Sequence, residues 1–96
     1  MTRVWLEKRD GHMRIAAYGH AVGSPAACAG VSALLCALCA YLRQDAKTEV
    51  YRCRLESGNA VLEFSGGEGA AAAFEMTAGG LRQIAMGYPS CVRIEE

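Results

Sequence analysis

The chain has 96 residues, enough for one domain spanning 1–96, and its ten Lys and Arg residues balance ten Asp and Glu residues. A zero formal net charge argues against a partner held mainly by phosphate contacts, which calls for a basic excess or stripe, so no direct nucleic-acid contact is expected. Hydrophobic residues at 52% and charged residues at 21% exclude a disordered chain.

Taken in order, the first predicted element is a hairpin, with strands over 3–8 and 12–18 around Asp10-Gly11. Both turn residues tolerate positive φ, as a two-residue hairpin turn requires. Met13, Ile15 and Ala17 alternate with His12, Arg14 and Ala16, which gives the second strand one apolar face. Residues 21–42 then carry no charge, a length that would suit a membrane span. Gly23, Ser24 and Pro25 interrupt that stretch, and Ala, Cys and Gly supply much of the rest. The reading is a buried central helix over 26–42 and no membrane partner.

A second hairpin follows. Tyr51, Cys53 and Leu55 alternate with Arg52 and Arg54, and a turn over 56–59 leads into a strand over 60–64. Residues 66–69 read as a glycine loop, and a second helix over 70–86 sets Phe74, Thr77, Leu81, Ile84 and Tyr88 along one face. Pro89 stops it before a last strand over 91–95. The order ββαββαβ predicts an α+β two-layer sandwich, a mostly antiparallel sheet with two helices on its apolar face. So short a domain buries only about two thirds of its unfolded surface, and a homodimer is the expected supplement.

Five cysteines, Cys28, Cys36, Cys39, Cys53 and Cys91, make an odd count, and charges run through residues 3–10 where a secretory segment would be apolar. Free thiols in a reducing cytoplasm are expected. Cys36 and Cys39 form a C-x-x-C inside the helix and read as small apolar contacts; no metal site and no cofactor are expected, since no second paired motif accompanies them. Trp5 and Tyr18 read as cover for the sheet edge in preference to the lining of a groove for an extended substrate, and His12 as a solvated residue.

Chemistry concentrates between strand and helix. Ser24 suits the N-cap and Pro25 the first helical position, which puts Cys28 in the first turn, where free N–H groups favour a thiolate and offer oxyanion donors, that of Cys28 included. His20 ends the preceding strand, and a short loop can return it to Cys28 as a base.

Gly19-His20-Ala21 followed by Cys28-Ala29-Gly30-Val31-Ser32-Ala33-Leu34 resembles the signature of the ribosomal-processing cysteine protease Prp family, and Tyr88-Pro89-Ser90 with Val92-Arg93-Ile94-Glu95-Glu96 resembles that family's C-terminal end. The resemblance implies a small cytoplasmic, homodimeric thiol protease that removes an N-terminal extension from a large-subunit ribosomal protein. Cys28 matches the nucleophile, His20 the base, and Ser32 the serine one helical turn on; Gly19 and Ala21 flank the base as supporting positions. The His–Cys segment departs from the family in being short and free of acid, with Pro25 where many members carry Asp. The resemblance thus implies a Cys–His dyad. Two other readings stay open: a catalytically silent ribosome-assembly or protein-binding module of the same fold, and a thiol redox or metal-binding protein using Cys28, Cys36 and Cys39.

Overall fold

A computed structural model describes residues 1–95; Glu96, part of the C-terminal resemblance, lies outside the described residues. The chain runs β1 (Thr2–Arg9), β2 (His12–Tyr18), α1 (Pro25–Gln44), β3 (Glu49–Glu56), β4 (Asn59–Ser65), α2 (Glu68–Gly87) and β5 (Val92–Glu95). The expected ββαββαβ order and α+β sandwich are present. Their five strands form one sheet in the order β3-β4-β2-β1-β5. β5 joins β1 in parallel and the other three pairings are antiparallel.

Alternation decides which face is covered. Val4, Met13, Ile15, Ala17, Leu62, Phe64 and Val92 are buried toward the helices. They meet Val31, Leu35, Leu38 and Leu42 of α1 and Phe74, Ala78 and Leu81 of α2. A one-residue slip in any central strand would turn this set outward, so burial of one face holds the register. On the other face Trp5 and Tyr18 pack edge to face with ring centroids 5.6 Å apart, on strands where cross-strand aromatic contacts add stability. β1 and β2 are inner strands, so this pair covers the open face of the sheet and not its edge.

Several local expectations change. Both helices are longer than expected, with Glu68 and Gly69 in α2's first turn rather than in a loop, and the 56–59 turn contracts to Ser57-Gly58. A bulge between Val50 and Arg52 takes Tyr51 out of alternation with Cys53 and Leu55. Its hydroxyl bonds Ser65 at 2.7 Å and its ring stacks on His12. His12 is exposed but not merely solvated, since it also bonds Glu63 at 2.7 Å.

α1 is not buried all round. By length and composition it could cross a membrane, yet here one side packs on the sheet while Ala26, Ala29, Ala33, Ala37 and Ala40 face outward. A two-layer sandwich covers each helix on one side only, so an apolar helix keeps an uncharged outer strip. The expectation of free thiols also fails at one pair: Cys39, buried on α1, is disulfide-bonded to Cys53, the one half-buried residue of β3. Bridging residues 14 apart in sequence stabilises a chain by about 3 kcal/mol in the loop-entropy picture.

Candidate functional site

The predicted cap forms as read. Ser24, in extended backbone, accepts the Ala27 N–H at its side-chain oxygen at 3.1 Å, and Pro25 opens the helix. That cap fixes where α1 begins and therefore which way Cys28 faces. One detail departs from expectation: the Cys28 N–H donates to the Ser24 carbonyl at 3.2 Å. Cys28 sits far enough into the helix to close its first full turn, so its N–H is already used and is no oxyanion donor.

The segment from Gly19 to Ser24 is held from three sides. Gly19 has φ +91°, and its N–H donates to the Gly58 carbonyl at 3.0 Å. The Thr2 hydroxyl donates to the Gly19 carbonyl at 3.3 Å, and the Cys91 thiol donates to the Val22 carbonyl at 3.5 Å. A Cβ at Gly19 would collide with the Met1 carbonyl oxygen, so both the positive φ and the close approach demand glycine. These ties set the direction in which His20 leaves the strand.

His20 lies over the turn between β3 and β4. A Cβ added at Gly58 would stand 2.7 Å from His20 Nε2 and 3.0 Å from Cε1. Only a residue without a side chain lets the imidazole sit there. Gly58 also has φ +71°, so the turn and the seat of the ring require the same residue.

Cys28 and His20 are both exposed, and both line one cleft of about 310 Å³ between α1 and the β3–β4 turn. Cys28, Ser32 and Cys36 recur every four residues along its helical wall, the spacing that aligns side chains on one face. Leu55, Glu56, Ser57, Gly58 and Asn59 make the opposite wall, and Thr2 and Gly19 close one end. An exposed thiol and an imidazole in one cleft can perform nucleophilic acyl transfer on a peptide carbonyl.

Of the predicted positions, the structure brings Cys28, His20, Gly19 and Ser32 into this cleft. Ala21 is buried in the core, and its carbonyl accepts the Ser24 N–H at 3.2 Å. Its role is to shape the turn into α1. Cys36 is no apolar contact: it is exposed on the cleft wall as a free thiol. Sequence reasoning missed Thr2, Leu55 and Gly58. Ser57-Gly58 was legible as a turn, but only pairing of β4 with β2 brings it under His20. Among the described residues no group of three or more His, Cys, Asp or Glu side chains is placed to hold a metal ion.

No family model matches the sequence, and no curated protein matches it. Solved structures do. An essential ribosomal processing protease Prp from S. aureus, in complex with a covalently linked product peptide, superposes with TM-score 0.80 at 19% identity, covering 99% of this chain and 98% of that chain. The S. aureus Prp structure with a substrate peptide gives TM-score 0.70 at 17% identity, with coverage of 99% and 98%. SMU.848 from Streptococcus mutans gives TM-score 0.76 at 22% identity, covering 99% of this chain and 92% of that chain. The chain therefore has, over essentially its whole described length, the fold of the Prp ribosomal processing proteases.

Proposed function

We propose that this protein is a Prp-like cysteine endopeptidase whose nucleophile is Cys28 and whose base is His20. The observation that carries the reading is that these two exposed side chains, one from a capped helix and one from the pinned loop after β2, line one cleft. His20 takes the thiol proton, and Cys28 Sγ attacks the scissile carbonyl. The amine leaves with a proton, and water then hydrolyses the thioester to return the free thiol. Ser32, a turn further along the same wall, and Gly19, beside the base, contribute to substrate seating.

The substrate class in this proposal is a polypeptide, and specifically an N-terminal extension of a large-subunit ribosomal protein. Its support is the motif resemblance together with the fold shared with Prp structures that hold peptides. The proposal extends to a cytoplasmic homodimer without nucleic-acid contact. The dimer draws support from the exposed, uncharged outer strip of α1, a surface that a second copy would cover.

The test is mass-spectrometric analysis of the ribosomal protein's N-terminal peptide after incubation with wild type, Cys28→Ala and His20→Ala. A cut by wild type alone is expected. Cleavage by Cys28→Ala at the wild-type rate would remove the nucleophile, and no cleavage by any of the three would favour the binding-module reading.

A further inference from the structure

β3 is carried in the sheet by its antiparallel ladder with β4 and is bonded covalently to the helical layer at Cys53. It is an edge strand, and none of its eight residues is fully buried; only Cys53 reaches half-burial. That residue carries the disulfide to Cys39 on α1. The same strand continues into Leu55, Glu56, Ser57 and Gly58, which form the cleft wall opposite Cys28 and the seat of His20. The bond thus links the two walls of the cleft, α1 on one side and β3 on the other.

A second observation concerns the chemistry of the bond. The Arg43 guanidinium, in the last turn of α1, lies 4.0 Å from Cys53 Sγ. A cation at that position stabilises a Cys53 thiolate, which favours release of Cys53 from a mixed disulfide in the second step of an exchange. The three remaining cysteines, Cys28, Cys36 and Cys91, are free. In the reducing compartment that the proposed function implies, a disulfide is transient or redox-sensing.

We propose that Cys39–Cys53 is a thiol–disulfide exchange site whose co-reactant is a dithiol reductant, and that its reduction loosens the β3 wall of the cleft. The reductant's first thiolate attacks Cys53 Sγ, the more accessible sulfur. The Cys39–Cys53 bond breaks, a mixed disulfide forms on Cys53, and Cys39 departs as a thiolate that takes a proton. The second thiol, once deprotonated, attacks the reductant's own sulfur in that mixed disulfide and displaces Cys53 as a thiolate beside Arg43. Two electrons pass to the protein and the dithiol leaves oxidised.

The experiment uses Cys28→Ala, which removes the catalytic thiol of the proposed function and leaves the pair intact, so the outcome does not depend on protease activity. The protein is equilibrated in dithiothreitol buffers of graded potential and read by differential alkylation and by amide hydrogen exchange. Cys39 and Cys53 should become alkylatable together at one midpoint, while Cys36 is alkylatable throughout. Exchange over residues 50–58 should rise at least tenfold on reduction, with the paired amides of β1 and β2 changing less than twofold. A Cys39→Ser/Cys53→Ser variant should show the fast exchange in every buffer. Failure of the pair to oxidise in any buffer would overturn the proposal, and so would equal exchange of β3 in the oxidised and reduced forms.

Discussion

Gly58→Ala separates the making of the fold from the making of the site. Two effects act at that residue. Its φ of +71° costs an alanine about 1–2 kcal/mol, because Cβ then crowds the following carbonyl. Its new methyl would also stand 2.7 Å from His20 Nε2, so the imidazole must move by several tenths of an ångström or more. A reacting group misplaced by about 1 Å loses on the order of 100-fold in rate. Gly11→Ala supplies the control, since Gly11 has a similar φ of +80° but its added Cβ meets only the Gly66 carbonyl oxygen at 3.8 Å. Both variants should therefore lose about 4–16 °C in Tm, at about 4–8 °C per kcal/mol for a domain of this size. Only Gly58→Ala should lose peptide cleavage, by roughly 10- to 100-fold in kcat with little change in KM. Thermal melts and cleavage kinetics on the same preparations decide it. Equal kcat for the two variants would refute the claim that Gly58 seats the base.

Other consequences follow from single contacts. Ser24→Ala removes the side-chain acceptor of the Ala27 N–H and should cost about 1 kcal/mol in urea unfolding, whereas Ser24→Gly should cost a few tenths. Phe64→Ala opens the centre of the core, where Phe64 is fully buried, and should cost about 3–5 kcal/mol by the same measurement. Asp45 caps the turn between α1 and β3. Bonds from the Thr48 hydroxyl at 2.7 Å and the Lys47 N–H at 3.0 Å hold its carboxyl below its ordinary value of 3.8. A lowered folded pKa means that Asp45 stabilises fully above that ordinary value, and the contribution is lost as pH falls below it and through the folded value. Asp45→Asn should flatten that part of the acid-unfolding profile while leaving the neutral part parallel to wild type.

The architecture was legible because the hydrophobic period changes cleanly along the chain. Met13, Ile15 and Ala17 alternate, and Phe74, Thr77 and Leu81 step by three and four, and both sets are buried; of the rest of that helical face Ile84 is half-buried, and Tyr88 falls past the end of α2 and is exposed. Ser24-Pro25 announced the start of α1 for a local reason, the capping of free N–H groups, and local reasons survive folding. What sequence could not supply was distance across the chain. That Gly58 lies under His20 follows from the antiparallel pairing of β2 with β4, which brings residue 58 beside residue 19. Cys39–Cys53 was missed for the same reason, since helical and strand periods place each residue on a face but not opposite a particular partner. The Cys28 N–H was misjudged by a single position: counting from Ser24, it is the first amide able to reach back to the cap's carbonyl.

Cys28 and Cys36 make the most direct test of the central claim, because both are exposed free thiols on one wall of one cleft and only Cys28 is assigned a base. The measurement is the alkylation rate of each by iodoacetamide, followed by peptide mass spectrometry, in wild type and in His20→Ala. Faster alkylation of Cys28 than of Cys36 in wild type, with the difference lost in His20→Ala, is the predicted result. Equal rates for the two thiols, or a Cys28 rate indifferent to His20, would contradict the account.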